Sequence, residues 1–136
     1  MLNRRTFFTL ATLAAAIAAT ALTQPAFAAE TKPFTQADFS AAQAAGRPIL
    51  VEIAAPWCSI RTKQKPIISS VAAKKEFADL TIFVIDFDSQ KDALRAMKAN
   101  VQSTLISFKG KQEKARSAGV TDAAEIEALM RSALKS

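Results

Sequence analysis

The chain contains no histidine. That absence removes every Ser-His-Asp or Cys-His catalytic arrangement and every histidine-based zinc site. Cysteine occurs once, as Cys58. A single thiol closes no intramolecular disulfide, builds no zinc ribbon and makes no dithiol redox pair. Glycine numbers 3 and proline 5, with no low-complexity tract, so a collagen-like or disordered chain is excluded. What remains for covalent chemistry is Cys58 or the carboxylates. With 136 residues, 50% of them hydrophobic, the chain suits one domain with a modest core.

The first 28 residues read as an address. Arg4 and Arg5 form a positive start, Phe7 to Leu22 is an apolar run, and Ala26-Phe27-Ala28 follows Pro25 as a small-x-small cleavage site. The run is shorter and less apolar than a spanning helix, which needs about 20 residues. Asn3-Arg4-Arg5-Thr6-Phe7-Phe8 also resembles a twin-arginine signal, so either that route or the general export route fits. Cleavage after Ala28 takes 28 of 136 residues, leaves 108, and lowers the net charge from +6 to +4 by removing two arginines. The expectation is a periplasmic protein without stable membrane insertion after cleavage. The remaining basic residues are scattered without interleaved aromatics, so nucleic acid is not an expected partner.

After residue 28 the pattern alternates helix and strand. Thr35 and Asp38 form a capping pair, with Phe34 and Phe39 spaced as a hydrophobic staple, and Gly46 with Pro48 ends that helix. Ile49 to Ala55 predicts a buried strand. Cys58 to about Phe77 predicts a long helix that Pro66 should kink or split. Leu80 to Phe87 predicts a strand covered on both faces, hence a parallel sheet. Ser89 and Asp92 predict the start of a helix reaching about Asn100. Thr104 to Lys109 and Glu113 to Ser117, around the turn at Gly110, predict a hairpin. Asp122 with Glu125 predicts a last helix, whose stripe is Ile126, Leu129, Met130, Ala133 and Leu134. This order implies an α/β fold, a central sheet with helices on both faces.

Pro56-Trp57-Cys58-Ser59-Ile60-Arg61 is where chemistry concentrates. Cys58 follows a buried strand and opens a helix, whose amino end carries unpaired N–H groups and partial positive charge. Arg61, one turn on, adds a full charge, and both effects favour thiolate. Trp57 supplies an apolar wall. The opposing reading makes Cys58 a small buried hydrophobe. Asp86 and Asp88 read as loop and capping residues, and Lys63 and Lys65 as a wet helix face.

Trp57-Cys58-Ser59-Ile60, with Pro66 further along the helix, resembles the Trp-Cys-x-x-Cys motif of the thioredoxin superfamily, and the resemblance runs through residues 29–136. It implies a thioredoxin-like three-layer sandwich with a mixed central sheet. It also implies a proton-relaying buried acid at Glu52, a partner-binding strand at Ser103-Thr104, and a partner-contacting surface at Trp57, Ser59 and Ile60. Two positions depart from the family. Arg61 replaces the second cysteine, which resolves mixed disulfides, so autonomous dithiol reduction is excluded. Ser103 stands where the family carries a cis-proline. A non-proline cis bond costs about 2.5–4 kcal/mol, so a trans bond is expected there.

The resulting expectation is monothiol exchange through Cys58, with Arg61 and Glu52 assisting, on protein thiols or disulfides or a small-molecule thiol. No cofactor or metal is expected, since one thiolate per chain is a poor ligand set. The alternative is a binding or assembly module that kept the fold and lost the chemistry.

Overall fold

Strand β2, Pro48–Ala54, is buried at every position and forms the axis of the molecule. The computed structural model describes residues 29–136; the expected export signal lies outside the described residues. β2 pairs in parallel with β3, Thr81–Asp86, on one side. On its other side it pairs antiparallel with β4, Thr104–Lys109. β4 continues through Gly110 into β5, Gln112–Ala118, as the expected hairpin. An additional strand, β1, Glu30–Pro33, lies parallel to β3 at the far edge. The sheet order is therefore β1-β3-β2-β4-β5, a mixed sheet.

Side chains alternate across β2, and this decides where the site lies. Ile49, Val51 and Ile53 enter a core with Phe34, Phe39, Phe83 and Phe108. The four rings meet at centroid separations of 5.4 to 6.1 Å, mostly edge-to-face, a favourable aromatic geometry. Helix α1, Gln36–Ala44, contributes Phe39 and Ala42 to that core. Thr35 caps α1 by accepting from the Asp38 N–H at 3.1 Å. Leu50 points to the opposite face, into a core shared with α2, Ser59–Ala72, and α4, Ala123–Ser132. Glu52, two residues after Leu50, falls on that same face, towards α2.

Three local expectations change. The helix after Cys58 stops at Ala72, because Lys74 turns extended (φ −71°, ψ 141°), and a separate 3-10 turn, Lys75–Phe77, delivers Phe77 fully buried to the core. Ser89 does not cap the next helix. Instead the Asp86 carboxylate accepts from the N–H groups of Asp88 and Ser89, and Gln90 precedes α3, Lys91–Ala96. That helix ends at Ala96, capped by Met97, rather than at Asn100, and Lys98 just beyond takes φ +52°.

Candidate active site

Cys58 occupies the N-cap of α2, with its own N–H donating to Ala55 O at 3.0 Å. The residue is 7% exposed. Its sulfur accepts a hydrogen bond from the Ser103 hydroxyl at 3.4 Å. This bond is the largest influence drawing the thiol below its ordinary pKa; partial burial opposes it, and the backbone N–H groups of Arg61 and Ile60, with the Gln102 side chain, add to the lowering. The net direction is towards thiolate, as a helix amino end with several donors predicts.

Arg61 acts differently from the sequence expectation. Its guanidinium donates to Glu52 Oε1 at 2.9 Å, with the two side chains 16% and 6% exposed. What Arg61 offers Cys58 is its backbone N–H, while its charge is committed to β2. The physical reason is burial: a carboxylate on the α2 face of β2 needs a counter-charge, and the first turn of α2 places the guanidinium there. Desolvation raises the Glu52 pKa above the ordinary carboxylate value, against the lowering by Arg61 and, more weakly, Lys65. The Glu52 carboxylate thus reaches the guanidinium, and a proton relay to Cys58 has no direct hydrogen bond between the two to run through. Arg61 and Lys65 also line a groove of about 700 Å³ between α2 and the β1–β3 edge.

Ser103 is fully buried, and its backbone is used internally. Its N–H donates to Ile53 O at 2.7 Å, and its carbonyl accepts from Gly119 N–H at 3.0 Å and Gln64 Nε2 at 3.0 Å. Thr104 is buried too, its hydroxyl donating to Val101 O at 2.6 Å. Within the chain itself the backbone N–H and carbonyl of Ser103 are thus taken up internally. Ser103 serves the sulfur, and Thr104 ties down the loop. No cis peptide bond occurs among the described residues, so the bond before Ser103 is trans as expected; Ser103 itself adopts φ +59°, a left-handed conformation costing a non-glycine residue about 1–2 kcal/mol.

Trp57, 62% exposed, stands beside Cys58. Its indole N–H donates to Asp88 Oδ2 at 2.9 Å, and its ring meets Phe87 edge-on at 6.3 Å. Ser59 is exposed and Ile60 half-buried, the latter's side chain lying by Gly119. Val101 is 44% exposed, on the loop leading into β4. The contributions of Gln102, Asp88 and Gln64 had no sequence signal, since each is polar in a stretch where polar residues are ordinary.

This geometry, a helix-capping cysteine against a buried loop before an antiparallel strand, defines a thioredoxin-type site. The family model described as Thioredoxin matches residues 30–132, and the chain belongs to that family. Among solved structures it is similar to Trxlp of Edwardsiella tarda, with 35% identity, a TM-score of 0.72, and coverage of 74% of this chain and 98% of that one. It also shares its fold with a thioredoxin of Malassezia sympodialis, at 14% identity and TM-score 0.69, covering 79% and 92% of the two chains. A mutant thioredoxin from Halobacterium salinarum aligns at 18% identity and TM-score 0.68, covering 84% and 97%. No curated protein matches the sequence.

Proposed function

We propose that the protein is an exported thioredoxin-family member performing monothiol exchange through Cys58 in the periplasm. The observation that carries the reading is the set of donors on the sulfur: the Ser103 hydroxyl and the N–H groups of Ile60 and Arg61. The Cys58 thiolate attacks one sulfur of a partner disulfide. A Cys58–partner disulfide forms, and the other partner sulfur leaves as thiolate. An external thiol, as thiolate, then attacks the mixed disulfide and frees Cys58. One partner sulfur is then free and the other is joined to the external thiol; a second equivalent of external thiol completes reduction of the partner and leaves as the oxidised disulfide. Arg61 supplies no second sulfur, so release depends on that external thiol. Export is supported by the Arg4-Arg5 start and the Ala26-Phe27-Ala28 site.

Alkylation of Cys58 across pH tests this reading. The expected midpoint lies clearly below the ordinary thiol value of about 8.5. A midpoint at or above that value rules the activated thiol out.

Two exposed large hydrophobic side chains, Trp57 next to the nearly covered Cys58 and Val101 on the loop before Ser103, favour a second reading, a non-covalent binding module. Cys58→Ser separates the two in a partner-capture experiment. Exchange predicts that covalent adducts and biological output both vanish, whereas binding predicts that capture and output persist.

A further inference from the structure

Gln64 lies on α2 six residues after Cys58 and is 1% exposed. We propose that Gln64 is a positioning residue that sets the Cys58 sulfur by way of Ser103. Its Nε2 donates twice, to Ser103 O at 3.0 Å and to Val120 O at 2.9 Å. The first bond joins those from Ser103 N–H to Ile53 O and from Gly119 N–H to Ser103 O, so three bonds clamp one left-handed residue. A serine hydroxyl is one rotatable bond from its backbone. Fixing that backbone therefore fixes where Oγ reaches, and it reaches Sγ at 3.4 Å.

The rest of the amide shows what this position is for. Gln64 Oε1 is buried without a hydrogen-bond partner. An unmatched polar atom in a core subtracts stability, and a methionine of similar volume would avoid that loss. The donors are what glutamine adds. Both go to neutral carbonyls, so a neutral substitution leaves the Glu52–Arg61 pair and Asp88 as they are.

The inference rests on Cys58 being an activated thiol. The test compares the pH profile of Cys58 alkylation in the parent, Gln64→Met, Ser103→Ala and the double variant. The expected result is a higher midpoint in Gln64→Met, with a severalfold lower rate at neutral pH. Ser103→Ala should shift the same way, and adding Gln64→Met to it should shift the profile no further. A parent midpoint at the ordinary thiol value overturns both this inference and the exchange reading. A low parent midpoint left unmoved in a folded but less stable Gln64→Met overturns this inference alone and leaves Gln64 a purely structural residue. Should Gln64→Met fail to fold, the side-chain amide resonances of Gln64 in the parent are followed through the Cys58 titration. They should shift with the thiol midpoint, and invariance overturns the coupling.

Discussion

Arg61→Ala is expected to lower the unfolding free energy at pH 7 by about 3 kcal/mol, the low end for breaking a buried ion pair. The low end applies because the arginine side chain keeps 16% of its exposure. The loss should depend on pH in a defined sense. Burial already raises the Glu52 pKa above its ordinary value despite the neighbouring guanidinium. An acid held that way binds its proton more tightly in the folded chain than in the unfolded one. Stability therefore falls as pH rises from the ordinary carboxylate value, about 4.3, through the folded value. Removing the guanidinium pushes the folded value further up, widens that interval and deepens the deficit at neutral pH. Below the interval both states are protonated, and only the packing of the arginine stem is lost. Urea unfolding of parent and variant at pH 4 and pH 7 measures this. Equal losses at the two pH values would show that the ion pair is not the cause. Leucine at both positions should recover much of the stability, since apolar replacement of a buried pair is often neutral.

Arg61→Cys is expected to raise disulfide reductase turnover well above that of the parent, whose release from the mixed disulfide depends on an external thiol. The new thiol lies one helical turn from Cys58, so attack on the mixed disulfide becomes intramolecular. Well-placed intramolecular reactions reach effective concentrations far above any free thiol, so a gain of about a hundredfold or more is expected at millimolar external thiol. The substitution also strips Glu52 of its counter-charge, and the stability loss should resemble that of Arg61→Ala. Turnover of a protein disulfide, followed with a limiting dithiol reductant, checks the gain. A folded Arg61→Cys protein that turns over no faster than the parent would mean that the Ser103 loop, rather than the missing sulfur, limits the chemistry.

The sequence carried the sheet better than the site, for physical reasons. β4 was legible at both ends because an apolar run meets the glycine turn at Gly110. The caps at Thr35 and Asp122 were legible because capping is a contact three residues long. β1 was not, since Glu30-Thr31-Lys32-Pro33 has no apolar alternation, and its place is set by the open edge of β3. Cys58 was legible from its position between a strand and a helix. The destination of the Arg61 charge was not, because it depends on which face of β2 carries Glu52, a contact between different elements. Gln64 was hidden among the lysines of α2, and only the packing of that helix against the Ser103 loop distinguishes it.

The Trp57–Asp88 hydrogen bond has a practical consequence. The chain has one tryptophan and no tyrosine, so its intrinsic fluorescence comes from the indole beside the sulfur, held by a carboxylate on a neighbouring loop. Emission therefore reports the rim of the site, not the phenylalanine core. A docking partner should announce itself optically without any label, and melting curves read in this channel report the surroundings of the Trp57–Asp88 clasp.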